Sequence, residues 1–241
     1  MNEKKIIFKA RSKTESLVQL KPYPAAQAVP DWWKDMTPYE VTPENPDGKK
    51  LLVRERNANT TFKKCTPMLD GLTSGYIISL WADVQVTQTS AFPMLTWRTL
   101  HDIFEMHGPT SRLIPAPPGY DQVVFKYLNT WIPITPPGYS VMVTSPFGYQ
   151  DLPFKAIPAV VDSDKSTLEL VFPMWIKSGL EGIVEKGTPM IQLTPFKRDN
   201  WIAEFDTYED GEYRTVVEET NFNSTIVSHY IKRHWSKKSY K

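Results

Sequence analysis

The chain has little cysteine and no long apolar run, and each absence excludes a class of protein. The single cysteine, Cys65, cannot form an intramolecular disulfide and argues against a cysteine-based zinc site, so the sequence predicts a reducing, cytoplasmic setting. No segment reaches the roughly 18 apolar residues that a membrane span needs. The N-terminus also lacks the apolar region of a signal peptide, because charges resume after residues 6–8. We therefore expect no membrane partner.

The chain also lacks a net charge of either sign and has few histidines. Its 28 Lys and Arg residues against 27 Asp and Glu residues give a formal net charge of +1. This balance provides no long-range attraction to a polyanion, so a nucleic-acid partner is not expected. The four histidines form no H-x-D or H-x-E pair, which disfavours a metal-dependent oxygenase. The sequence predicts no metal site.

Proline, in contrast, is abundant, with 21 residues. Because proline lacks an N–H and does not fit inside a helix or a central strand, this number favours many short elements and β over α structure. We predict a mainly β fold, a single β-rich domain at residues 46–205. A proline-rich N-terminal strand and arm at 1–45 precede it, and a C-terminal helix and basic tail at 206–241 follow it.

The two flanking segments carry more detailed predictions. Residues 4–9 are typical of a short strand, and residues 18–39 have no regular period, so an extended arm is expected there. Trp32 and Trp33 either pin this arm to the core or form a stacking platform for a ligand. Near the C-terminus, apolar residues recur at spacings of three and four, which predicts a helix over 224–235.

Strand signals begin at residues 76–87, whose largely apolar run predicts a central strand. Pro-Pro-Gly-Tyr then occurs twice, at 117–120 and 136–139. Pro-Gly suits the central positions of a type II turn, so each motif is expected to turn the chain into a strand. The predicted strands are 123–128, 131–134 and 139–143.

The stretch 135–201 contains three turn-bounded blocks with strand-like cores. A first strand ends in the Asp-Ser-Asp turn at 162–164, a second is interrupted by Pro173, and a third covers 189–196. This order resembles the trimeric dUTPase and dCTP deaminase superfamily, whose fold is the β-clip. Its Pro-Gly turn, GVIDSDYRG-like hairpin and GDRIAQL-like strand correspond to residues 137–139, 160–164 and 187–193.

The resemblance implies a set of ligand-binding positions. Asp162 matches the Asp that orients the catalytic water and contacts the sugar, and Ser145 matches the phosphate-binding PRSG motif. Asp164 and Gln192 complete the candidate ligand-binding set. From the residues alone, Asp-Ser-Asp is also favourable turn chemistry, and Gln192 also suits a buried amide that satisfies a neighbouring strand.

The chain departs from the family pattern at groups that bind a triphosphate. Lys165 replaces the Tyr that packs on the deoxyribose, and Ser166 and Thr167 replace the following Arg-Gly. The PRSG-like segment 145–148 has no Arg. Residues 200–241 hold one glycine, so the Gly-rich arm that covers the nucleotide is missing.

We therefore predict a non-enzymatic binding or assembly module that forms a homo-oligomer, a trimer if the resemblance holds. The alternative is a diverged dUTPase-like hydrolase of deoxynucleoside triphosphates, with Asp162 as its catalytic residue and Mg²⁺ bound by the substrate's phosphates. Outside that alternative we expect no cofactor. The sequence also resembles uncharacterised phage or environmental bacterial proteins, which implies a structural or interaction protein, virion-associated rather than cytoplasmic if its origin is a phage.

Overall fold

The computed structural model describes residues 4–49, 60–108, 113–166, 169–209, 211–215, 231 and 235–241. The chain divides into two compact units, one of residues 1–28, 73–198 and 240–241, the other of 29–72 and 199–239. All 14 strands of the described chain lie in the first unit, which confirms the mainly β fold. The boundaries at residues 45 and 205 stay predictions.

The elements of the described chain are short. The strands are β1 Ile7–Ala10, β2 Tyr23–Pro24, β3 Tyr76–Ser79, β4 Val84–Thr87, β5 Met94–Thr96, β6 Phe104–Met106, β7 Tyr120–Leu128, β8 Trp131–Ile134, β9 Tyr139–Thr144, β10 Phe154–Ala156, β11 Ala159–Val161, β12 Val171–Lys177, β13 Gly182–Val184 and β14 Pro189–Lys197. The α-helices are α1 Lys13–Val18, α2 Asp31–Asp35 and α3 Thr66–Thr73, and Ala25–Ala28 and Phe62–Lys64 are 3₁₀ turns.

The strands form four sheets in which every described pair is antiparallel. The largest has the order β11-β9-β14-β3-β2, and the next has the order β10-β12-β7-β6. A three-stranded sheet has the order β13-β4-β5, and β1 pairs with β8. The larger buried cluster lies within the first unit, and its largest fully buried side chains include Trp81, Tyr127, Phe154, Met174 and Met190.

Both Pro-Pro-Gly-Tyr motifs are turns that lead into strands, as predicted. The amide of Tyr120 donates to the carbonyl of Pro117 at 3.1 Å, and Tyr139 donates to Pro136 at 3.2 Å. The glycines between them have φ of 83° and 84°, the left-handed conformation that a type II turn requires at this position. The strands β7, β8 and β9 begin or lie where the sequence places them.

The predicted strand over residues 76–87 is wrong as a single strand. It consists of β3 and β4, which belong to different sheets, with residues 80–83 between them. Trp81 lies in the core there, and its indole N–H donates to the carbonyl of Leu128 at 3.2 Å. The backbone of Leu80 is hydrogen-bonded to the turn before β14. Its N–H donates to the carbonyl of Thr188, and its carbonyl accepts from the N–H of Gly187. The apolar run therefore reflects burial on both sides of a bend.

The predicted break at Pro173 is also wrong, because this proline lies inside β12 opposite Lys126 of β7. The carbonyl of Pro173 accepts from the amide of Ile157 at 2.9 Å. In a strand, the nitrogen and carbonyl of one residue face the same neighbour, so the proline nitrogen faces the side of β10 and not β7. The missing N–H therefore falls just past Ala156, the last residue of β10, and the pairing of β12 with β7 loses no hydrogen bond.

The extended conformation predicted for residues 18–39 is wrong in part, since this segment contains β2, the turn Ala25–Ala28 and α2. Pro30 stands at the N-cap of α2, where a proline fits because the first amides of a helix have no intrahelical acceptor. Trp33 is buried in a small cluster with Val29 and Leu72, within the second unit. The strand predicted at residues 4–9 is confirmed as β1.

The helix predicted over 224–235 falls almost wholly outside the described residues. Within the part of the chain that the structure describes, no helix has the length and apolar character to cross a membrane.

Gly75 is the position at which the fold tolerates no side chain. Its φ is +80°, and a Cβ placed there would lie 2.0 Å from the carbonyl oxygen of Leu193 in β14. Glycine therefore permits the close approach of β3 and β14 at the start of β3.

We expect Gly75→Ala to lower the free energy of unfolding by about 2–4 kcal/mol, the sum of left-handed backbone strain and overpacking. The matched control is Gly179→Ala, which also has a positive φ of +69° but open space around its Cβ position. The control should lose only about 1–2 kcal/mol. Urea denaturation of both variants measures the difference, and equal losses would contradict the close-approach explanation.

Candidate functional site

Asp162 and Asp164 lie together at one end of the five-stranded sheet, in the turn that follows β11. Val161 of β11 pairs with Val141 of β9, so the turn lies beside the start of β9. The carbonyl of Asp162 accepts from the amides of Lys165 and Ser166, at 3.0 and 2.9 Å. The predicted Asp-Ser-Asp turn is confirmed.

A third charged residue, Arg198, joins the two carboxylates. Its Nη1 lies 2.7 Å from Oδ1 of Asp164, and its Nη2 lies 2.5 Å from Oδ2 of the same carboxylate, a bidentate pair. Nη1 also lies 3.0 Å from Oδ1 of Asp162. One guanidinium thus contacts both acids.

Two groups of β9 and the preceding turn complete this cluster. The backbone N–H of Gly138 donates to Oδ2 of Asp164 at 2.8 Å. The hydroxyl of Ser140 donates to Oδ1 of Asp162 at 2.7 Å and accepts from Nη1 of Arg198 at 3.0 Å. We call Gly138, Ser140, Asp162, Asp164 and Arg198 the carboxylate cluster.

The environment keeps both carboxyl groups ionised. The hydrogen bonds from the Arg198 guanidinium, together with the one from Gly138, lower the pKa of Asp164 to about 2. The pKa of Asp162 is also lowered, mainly by the hydrogen bond from Ser140 and by the charge of Arg198. Neither group therefore holds a proton at neutral pH, so neither is a general acid.

The two acids differ in their access to solvent. The side chain of Asp164 is only 5% exposed, and its oxygens accept from Arg198 and Gly138. The side chain of Asp162 is 50% exposed, and each of its described side-chain contacts is made by Oδ1. Asp164 is therefore a structural anchor, whereas Asp162 retains a face toward solvent.

The cluster does not fit a divalent metal ion. Arg198 already neutralises part of the carboxylate charge, and its guanidinium occupies the space between the two acids. Among the described residues, no three His, Cys, Asp or Glu side chains lie together as a metal site requires.

Ser145 and Gln192 lie at the other end of β9. Gln192 pairs with Thr144, whereas Ser140 of the carboxylate cluster pairs with Phe196, four residues further along β14. Four residues of strand span about 13 Å. The four predicted ligand-binding residues therefore form two separate pairs.

Both side chains at this end satisfy backbone groups. The hydroxyl of Ser145 accepts from the amide of Ala156 at 2.9 Å. The buried amide of Gln192 donates to the carbonyl of Ser74 at 2.7 Å and accepts from the amide of Phe147 at 2.8 Å. Gln192 thus connects neighbouring segments, the alternative that its position in an apolar strand had indicated.

A second feature that sequence reasoning missed begins directly after Arg198. Residues 199–209 form no helix or strand and are exposed throughout; we call them the acidic strap. Trp201, Ile202 and Phe205 are 87%, 89% and 95% exposed. The strap also contains four acids, Asp199, Glu204, Asp206 and Glu209, and no Lys or Arg.

A concave pocket of about 840 Å³ lies on the solvent face of the three-stranded sheet, in the first unit. Trp81 and Trp97 line it together with the exposed cations Arg98 and Lys186. Ile183, Gln85 and Thr96 form a cross-strand row along it. These residues come from three strands and the turns beside them, so no short sequence motif predicts the pocket.

The chain has no significant match among the family models, the curated proteins or the solved structures.

The lowered pKa of Asp164 predicts how stability depends on pH. The ordinary pKa of 3.8 applies in the unfolded chain and about 2 in the folded one, so the stabilisation is present above about pH 4 and is lost as the pH falls through 2. We expect Asp164→Asn to lower the urea midpoint at pH 6, and the difference from the native chain to shrink at pH 2.5.

Arg198→Lys removes the first cause of the shift and should raise the pKa of Asp164 toward its ordinary value, measured by carboxyl NMR. Asp31→Asn, at an exposed acid of α2, is the control and should change the midpoint little at either pH. A midpoint difference for Asp164→Asn that stays constant from pH 6 to 2.5 would contradict this assignment.

Proposed function

We propose that the protein is a non-enzymatic assembly module that self-associates through the acidic strap. The observation that carries this proposal is the exposure of Trp201, Ile202 and Phe205 on a segment without secondary structure. Single exposed apolar residues are ordinary, but three large ones within five positions are typical of an interaction surface. Aromatic side chains are also the residues that most often dominate binding energy at interfaces.

Full burial of one large apolar side chain contributes about 1.5–3 kcal/mol to the free energy of binding. Burial of all three side chains therefore offsets much of the entropic cost of association. The acid between them, Glu204, and the three acids that flank them keep the strap hydrated before it docks. This combination supports a segment that is soluble alone and is buried in an assembly.

The proposal extends to a homo-oligomer, a trimer if the β-clip resemblance holds. It would act in the cytoplasm, or as a structural component of a virion if the phage likeness holds. The carboxylate cluster then has a structural role, because it fixes the sheet end at Arg198, immediately before the strap.

The hydrolase remains a second candidate because of one observation. Asp162 is ionised and half exposed, so its carboxylate is accessible to a water molecule. Against this reading, Ser140 and Arg198 already hold the carboxylate, and the predicted phosphate position Ser145 lies at the far end of β9.

We expect sedimentation velocity to give the native chain a mass of two or more times the 27.7 kDa of one chain. Trp201→Ser/Phe205→Ser should raise the dissociation constant at least about 100-fold, since two buried aromatic side chains contribute about 3–6 kcal/mol together. Phe62→Ser/Leu113→Ser removes two exposed apolar side chains outside the strap and is the matched control. A native chain that sediments at 27.7 kDa would contradict the proposal.

We expect no pyrophosphate release when the native chain is incubated with a panel of deoxynucleoside triphosphates and Mg²⁺. The same panel tests binding through a thermal shift. Release that Asp162→Asn abolishes and that Asp31→Asn, at an exposed acid outside the cluster, preserves would favour the hydrolase over the assembly module.

A further inference from the structure

We propose that the pocket on the three-stranded sheet receives the acidic strap of a second copy of this chain. This inference rests on the proposed self-association and names the surface to which the strap binds. It follows from the composition of the two surfaces, since both expose apolar side chains and their net charges are opposite in sign.

The pocket combines an apolar wall with two cations. Ile183 is exposed on β13, and Val18 of α1 lines the pocket as well. Arg98 follows β5 and Lys186 follows β13, and among the described residues neither side chain has an ion-pair or hydrogen-bond partner. The pocket is therefore suited to an apolar ligand that carries negative charge.

One acid lines the pocket, but its carboxylate is already engaged. Oδ1 of Asp83 accepts from the backbone N–H of Lys186 at 2.7 Å, which holds the turn after β13. This hydrogen bond uses the backbone of Lys186, and the residue itself is exposed. Two cations against one acid leave the pocket lining with a net charge of +1.

The acidic strap has the complementary composition. Trp201, Ile202 and Phe205 supply exposed apolar surface, and Glu204 and Asp206 lie between and beside them. Docking would bury the aromatic side chains against the pocket and place the carboxylates near Arg98 and Lys186. Complementary charges of this kind determine partner choice and association rate more than affinity itself.

The test is a pair of charge-reversed chains. The pocket-reversed chain carries Arg98→Glu/Lys186→Glu, and the strap-reversed chain carries Glu204→Lys/Asp206→Lys/Glu209→Lys, which changes the net charge of the strap from −4 to +2. Each chain alone brings like charges together, so each should dissociate at least about tenfold more readily than the native chain. Mixed in equal amounts, the acidic strap meets a basic pocket and the basic strap meets an acidic pocket, so association should return.

The control addresses general attraction between oppositely charged chains. Lys5→Glu/Lys9→Glu changes the net charge as much as the pocket-reversed chain does, but it alters exposed lysines that do not line the pocket. This control should associate alone like the native chain. Mixed with the strap-reversed chain, its acidic strap still meets a basic pocket, but the basic strap meets no acidic pocket. This mixture should therefore associate less than the mixture of the two reversed chains.

Sedimentation velocity of all single chains and mixtures distinguishes the outcomes. Association of the pocket-reversed chain like the native one would overturn the pocket assignment, while loss of association in Trp201→Ser/Phe205→Ser would still support the strap. Loss in both reversed chains without recovery on mixing would also overturn the pocket assignment. It would instead indicate that the strap binds elsewhere or within its own chain.

Discussion

The carboxylate cluster and the position at which the acidic strap begins both depend on the pairing of β9 with β14. Its register places Lys197 beside Tyr139, so the next residue, Arg198, reaches Gly138 and the turn after β11. The same pairing separates Ser145 and Gln192 from the two acids by nearly the full length of β9. A shift of one residue would exchange the faces of the strand and dissolve the carboxylate cluster.

The cluster also explains why the Asp-Ser-Asp segment at 162–164, which resembles an active-site motif, is poorly suited to proton transfer. A carboxylate that accepts a bidentate guanidinium and a backbone N–H has its lone pairs occupied and its pKa depressed, so it exchanges protons poorly at neutral pH. Asp164 meets this description fully. Asp162 meets it in part, and this difference is why only Asp162 merits a catalytic test.

Sequence reasoning succeeded where the signal is local and failed where it depends on distant segments. The Pro-Pro-Gly turns, β7 to β9 and the Asp-Ser-Asp turn follow from residues adjacent in the chain. Arg198 was missed because its partner acid lies 34 residues away and becomes a neighbour only through the sheet order. The apolar run at 76–87 shows burial but not the bend at Trp81, because a buried bend and a buried strand have the same composition.

The exposure of the strap could not be read from the sequence for a related reason. Apolar residues in Trp-Ile-Ala-Glu-Phe are compatible with a buried strand, and only the fold places them in water. Three such side chains on a free surface invite nonspecific association, and interspersed acids oppose it by repulsion between straps. The acids therefore restrict docking to a surface that carries positive charge, so added salt should weaken the specific contact while leaving apolar burial intact.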